Sequence, residues 1–162
     1  MTKIIGICGY SGSGKTTLLK KLIAELKVLN IRLAVIKHSH HNMDIDIPGK
    51  DSYELRKAGA EQIIVASDYR WAMVTETPIN PPNLLTLTNQ FSDVELVLVE
   101  GFKEEAIPKI ICYREETGKA LFYDQHTIAI VSDTALDIDI PVMDINDIGT
   151  VANFIKNRLI SE

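Results

Sequence analysis

The chain has 162 residues, 46% hydrophobic and 24% charged, with a formal net charge of −5. That length suits one domain around a single core, and no apolar run approaches the roughly 20 residues that span a bilayer. The acidic balance argues against a nucleic-acid binder, which would carry a basic face, but leaves room for a small anion held by local cations. The first residues lead straight into a strand-like run, so no signal peptide is expected and the cytoplasm is the default location.

In chain order, Lys3-Ile4-Ile5-Gly6-Ile7-Cys8 reads as a buried strand. It is followed by Gly9-Tyr10-Ser11-Gly12-Ser13-Gly14-Lys15-Thr16, with Thr17 behind it. This stretch satisfies G-x-x-x-x-G-K-[ST], the Walker A pattern, at every fixed position. Apolar residues then recur at Leu18, Leu19, Leu22, Ile23, Leu26 and Leu29, which predicts a helix over residues 15–29. Strand, glycine loop and helix together form a phosphate site. Glycines let backbone N–H groups close round an anion, and the helix start adds the positive end of its dipole. Lys15 is placed to reach the terminal phosphates and the Thr16 hydroxyl to ligate Mg²⁺. The alternative, a glycine turn that binds nothing, is disfavoured by the strand and helix on either side.

Asn30 suits the left-handed end of that helix, and residues 32–37 read as a second strand. Residues 38–50, His38-Ser39-His40-His41-Asn42-Met43-Asp44-Ile45-Asp46-Ile47-Pro48-Gly49-Lys50, form a long loop without periodicity, a common place for function. Its three histidines and two aspartates suit a metal cluster in type, but their spacing matches no defined zinc pattern. A solvated loop, or histidines meeting an anionic substrate, is the competing reading. Lys50 precedes a helix start and is either a second phosphate grip or an ordinary exposed lysine. Asp51 reads as that helix's N-cap, with Glu54 three residues on; Leu55 and Ala58 are expected to face inward and Gly59 to end it.

Residues 62–67 and 71–75 are β-rich and closely joined, predicting an antiparallel hairpin. Prolines at 78, 81 and 82 mark a turn before a helix over residues 83–91. Glu95-Leu96-Val97-Leu98-Val99-Glu100 reads as a buried parallel strand ending in a carboxylate. That is the form of a Walker B element, although Asp is commoner there. Ligands bind at the carboxyl ends of parallel strands, so Glu100 is expected near Thr16 and the metal, with Gly101 allowing backbone to approach phosphate. Plain strand termination by a solvated Glu is the alternative.

Residues 109–114, 127–131 and 141–143 read as three more strands, and residues 146–160 as a closing amphipathic helix. Cys8 and Cys112 lie in apolar runs without a CxxC or ligand partner, which marks them as reduced core residues. Asp133 follows a late strand. A carboxylate there either accepts two hydrogen bonds from guanine N1 and N2 or is a turn residue, and the Asn-Lys-x-Asp guanine motif is absent. The predicted fold is thus a single α/β domain with a mostly parallel central sheet flanked by helices, P-loop NTPase-like, with an antiparallel hairpin added.

Gly9 to Thr17, then Ile36-Lys37-His38-Ser39-His40-His41, Asp46-Ile47-Pro48-Gly49-Lys50-Asp51-Ser52, Ala58-Gly59-Ala60 and Val99-Glu100-Gly101-Phe102-Lys103 occur in that order. This set resembles the molybdopterin-guanine dinucleotide biosynthesis protein B (MobB) family over residues 1–103. The resemblance implies a homodimeric GTP-binding protein with weak GTP hydrolysis, accessory to a MobA-type guanylyltransferase that joins GMP to molybdopterin. It implies that Gly12, Gly14, Lys15, Thr16 and Thr17 hold phosphate and Mg²⁺, and Gly9, Ser11 and Ser13 of the same loop are expected at the nucleotide with them. Glu100 would support the metal, with His38 and Lys50 beside them. Lys15 and Glu100 are the residues expected to act in any hydrolysis, and Arg56, Arg70 and Arg114 are all open as an arginine finger. A P-loop small-molecule kinase is the rival; it calls for an arginine-rich lid, and no arginine cluster occurs.

Overall fold

The protein is described by a computed structural model over residues 2–39 and 43–160. It divides into two compact units, Met1–His38 with Leu84–Glu162, and Ser39–Asn83.

The first unit is a six-stranded sheet of β1 (Lys3–Cys8), β2 (Leu33–Lys37), β5 (Leu96–Glu100), β6 (Lys109–Tyr113), β7 (Thr127–Ser132) and β8 (Val142–Asp144). The order is β2-β5-β1-β6-β7-β8 and every pairing is parallel. The central strand β5 shows why its residues were legible as buried. Leu96 and Leu98 enter one apolar cluster, and Val97 and Val99 enter another on the opposite face. Against the first face pack α1 (Lys15–Val28) and α4 (Ile148–Ile160). There Leu18, Leu22 and Leu26 meet Val151, Ala152 and Ile155. The short α3 (Leu84–Thr88) covers part of the other face through Leu84. Asn30 ends the α1 turn at φ 59°, the left-handed conformation expected of it.

The second unit holds α2 (Asp51–Lys57) and the antiparallel hairpin β3 (Gln62–Ala66) and β4 (Trp71–Thr75), paired from Gln62–Thr75 to Ala66–Trp71. Two local expectations are corrected. The N-cap of α2 is Lys50, with no side-chain capping bond, and Asp51 is the first helical residue. Leu55 does not face a core: it is 57% exposed, and α2 has no buried residue. Among the described residues the second unit has no buried apolar side chain, so this seven-residue helix has no core of its own unit to pack into. Gly59 does end the helix, at φ 114°. No described helix is long and apolar enough to cross a membrane.

Candidate functional site

At the carboxyl end of β1 the chain enters the glycine loop. Two of its glycines are required by what surrounds them. A β carbon on Gly9 would fall 2.4 Å from the Cys112 carbonyl oxygen and 2.7 Å from Ser13 Oγ. Gly14 sits at φ 85° as the N-cap of α1, where an L side chain would be strained and would meet Arg114 Nε at 3.0 Å. No side chain caps α1, so its first N–H groups point into the loop without an internal acceptor, the arrangement that suits an anion.

Lys15 folds back over this loop. Its Nζ donates to the Gly9 carbonyl at 2.9 Å and the Tyr10 carbonyl at 2.7 Å. An ammonium has three donors, so two hold the loop in shape and one is left for an anion. Ser13 is buried, and its carbonyl accepts the Cys112 thiol at 2.9 Å. Burial pushes that thiol, and that of Cys8, above the ordinary range, so both cysteines are protonated packing residues. Tyr10 stacks edge-on against Phe122 with centroids 5.1 Å apart. Ser11, Thr16 and Thr17 are exposed, the two threonines in the first turn of α1.

Glu100 ends β5, level with Ile7 of β1 and Lys37 of β2. Its carboxylate is largely covered and accepts Lys37 Nζ at 3.2 Å. Its backbone carbonyl accepts the His38 N–H at 2.8 Å, and the His38 ring lies tilted on Phe102, with centroids 4.3 Å apart. This bears on Gly101. A β carbon there would lie 2.8 Å from His38 Cβ, and φ is 100°. Glycine is required there by the close packing of His38. As oxygen donors, the Thr16 hydroxyl and Glu100 carboxylate suit a hard cation such as Mg²⁺. Lys37 competes for the same carboxylate, which favours support through water over a direct bond.

On the other side of β1, Lys109 of β6 is 2% exposed, and its Nζ donates to the Lys103 carbonyl at 2.5 Å and to Asp124 at 2.7 Å. That bond, first among its causes, holds the Asp124 carboxyl below its usual range, and Lys109 thereby fixes the loop that follows Glu100. Beyond the end of β6, Arg114 lies against Gly14. Asp133, just past β7, accepts the Glu115 N–H at 3.2 Å. It lines a cleft of about 340 Å³ with Ser132, Thr134, Met143 and Asp144. Of the three arginines left open by sequence, Arg114 belongs to the first unit and lies beside the loop. The signal for it was available: it directly follows an apolar strand that ends at this edge, as Glu100 closes another.

Lys50 belongs to the second unit, exposed at the start of α2, and lines a groove there with Leu55 and Ile64. Arg56 is committed within the same unit, at 2.7 Å from each of Asp44, Asp46 and Glu76. Arg70 stands in the hairpin turn. His40 and His41 lie outside the described residues. Among those described, no group of three or more His, Cys, Asp or Glu is placed to hold a metal.

A parallel sheet in this order, with a glycine loop leading from its central region into α1 and a strand-terminal carboxylate beside it, defines the P-loop class of α/β proteins. Within that class, a family model described as molybdopterin guanine dinucleotide synthesis protein B matches residues 4–133. The chain belongs to that family. It is 52% identical over 159 residues to the molybdopterin-guanine dinucleotide biosynthesis adapter protein of Haemophilus influenzae, covering 96% of this chain and 89% of the relative. It is 49% identical over 161 residues to the adapter protein of the same name from Escherichia coli, covering 96% and 92%. In fold it is similar to the crystal structure of Bacillus subtilis MobB, with a TM-score of 0.77 at 23% identity over 96% of this chain and 97% of that one. It is also similar to a MobB homolog from Bacillus stearothermophilus, at 0.75 and 24% over 98% and 99%.

Proposed function

We propose that this protein is a GTP-binding adapter in the biosynthesis of molybdopterin guanine dinucleotide, working in the cytoplasm beside a MobA-type guanylyltransferase. The observation that carries the reading is the loop itself: Lys15 is held by two loop carbonyls at the uncapped start of α1. The names of the relatives supply the pathway and the adapter role. Lys15 and the glycine loop through Ser11, Gly12, Ser13 and Gly14 hold the phosphates; Thr16, Thr17 and, through water, Glu100 hold the cation side. Mg²⁺, when bound, offsets charge on the phosphate oxygens. Asp133 reads guanine at the cleft between the ends of β7 and β8, and His38 packs under Phe102 to shape the edge near Glu100. Molybdopterin is the second anionic ligand of the adapter, with Lys50 as a candidate cation for it.

Turnover by the protein alone is slow in this reading. Arg56 is tied to three carboxylates, so it cannot stabilise a γ-phosphate without breaking them. Calorimetry with GTP and ATP, each with Mg²⁺, tests the proposal. GTP binds at least tenfold more tightly than ATP, and Lys15→Ala removes binding; preference for ATP sinks the base assignment, and binding unchanged in Lys15→Ala sinks the site.

A further inference from the structure

Arg114 presents an arrangement that the phosphate loop alone does not explain. Its backbone is fixed: the carbonyl accepts Thr117 Oγ1 at 2.8 Å and the Thr117 N–H at 3.2 Å. The next N–H is held by Asp133. Its guanidinium is laid on Gly14, with Nε, Nη2 and Cζ at 3.0, 3.4 and 3.6 Å from the point a β carbon would occupy. Nε is buried and has no hydrogen-bond partner among the described residues. The ion pair from Nη1 to Glu116 is 3.5 Å long, and Glu116 is exposed, so it is weak. A guanidinium carries five N–H donors in a planar fork. Here that fork is docked on the anion loop with most of its donors uncommitted.

Sheet order says which part of a ligand it meets. Along the carboxyl edge, Glu100 ends β5, the glycine loop leaves β1, Arg114 follows β6, and Asp133 follows β7. The metal side of the loop faces β5; the cleft lined by Asp133 and Asp144 lies at β7 and β8. A nucleotide with its terminal phosphates at Glu100 and its base at the cleft must cross Arg114 between them. Charge points the same way. Glu115, Glu116, Asp133 and Asp144 make that side acidic, and an inner phosphate there needs a countercharge.

Resting on the reading that the loop binds a guanine nucleotide, we propose that Arg114 is a nucleotide-binding residue that grips the α- and β-phosphates, serving ground-state binding and not the γ-phosphate. It is the inner clamp that joins the phosphate loop to the base cleft. Because GDP keeps both phosphates, Arg114 contributes equally to GTP and GDP.

The test is calorimetric binding of GTP and of GDP, with Mg²⁺, to the wild type, Arg114→Ala, Arg114→Lys and Arg32→Ala. Arg32→Ala removes the same charge from a surface pair with Glu95, far along the strands from this edge. Arg114→Ala is expected to weaken both nucleotides by a similar factor, about 10- to 100-fold. Arg114→Lys should recover part of it as a point charge without the fork, and Arg32→Ala should change neither. Affinities of Arg114→Ala within twofold of wild type for both nucleotides overturn the inference. So does a loss for GTP with GDP unchanged, which would make Arg114 a γ-phosphate finger. A wild type that binds neither nucleotide overturns the underlying reading as well, and is recognised before any variant is made. Melting temperatures accompany each titration; should Arg114→Ala not fold, Arg114→Gln takes its place with the same expectation.

Discussion

The two units of this chain are held together in opposite ways. Every buried apolar side chain among the described residues belongs to the first unit, in clusters on both faces of the parallel sheet. The second unit has none. It is organised by a backbone ladder between β3 and β4 and by one guanidinium, Arg56, that gathers Asp44, Asp46 and Glu76. Meanwhile Ile64, Val65, Tyr69, Trp71 and Met73 stand exposed, Trp71 at 68%. A two-stranded hairpin is marginal alone in water, and clustered exposed apolar residues mark contact surfaces. A layered core gives a rigid edge for a small anion; the exposed apolar face of the hairpin suits a macromolecular partner. For the homodimer that the family resemblance implies, we propose this hairpin as the surface that meets the second copy.

The contrast breaks most easily on core truncations. Leu98 and Ile155 are fully buried, so Leu98→Ala or Ile155→Ala is expected to cost about 3–4 kcal/mol in urea unfolding. The melting temperature should fall by roughly 10 °C for a chain of this size. Ile64→Ala in the hairpin, measured at protein concentrations too low for association, is expected to cost less than about 0.5 kcal/mol. Equal costs at the two places would mean that the second unit has a core of its own and that the contrast is false.

The same division governs what was legible beforehand. The parallel strands announce themselves because burial on both faces demands continuous apolar runs, as in Leu96 to Val99. The glycine loop is readable because anion binding requires those residue types at those steps. Pairings across the sheet are not readable in the same way. Lys37 meets Glu100 only because β2 and β5 are neighbours in register, though 63 residues separate the two. Arg114 reaches Gly14 only because β6 lies beside β1. His38 reaches Gly101 closely for the same reason, again across β2 and β5. Leu55 misled because helical spacing says which face is apolar and nothing about whether a layer exists to cover it. In the second unit the apolar pattern is intact and the burial is missing.

A middle-sized effect sharpens the role given to that exposed surface. If the hairpin forms the dimer contact, Trp71→Ser is expected to raise the dimer dissociation constant by at least about tenfold, roughly 1.4 kcal/mol. Nucleotide affinity per chain should stay unchanged, since no residue assigned to the loop or to Glu100 lies in β4. Sedimentation across a dilution series reads the first quantity and calorimetry the second. A wild type that sediments as a monomer at micromolar concentration removes the hairpin proposal.

The smallest expected effect is electrostatic and concerns the second unit alone. The hydrogen bond from Arg56, the largest cause, holds the Asp46 carboxyl below its ordinary value, and Asp46, Glu76 and Asp44 in turn raise the guanidinium further. A depressed carboxylate favours the folded state at pH above its unfolded value, near 3.9. That contribution is lost as pH falls from there through the lowered folded value. Limited digestion by an acid-stable protease at pH 5, 4 and 3 is therefore expected to open the chain around residues 44–46 first. Arg56→Leu should show that opening already at pH 5. The first unit has a packed core in place of such a hub and should resist cleavage over this range. If cleavage instead starts in the parallel sheet, the carboxylate hub is not what holds the second unit together.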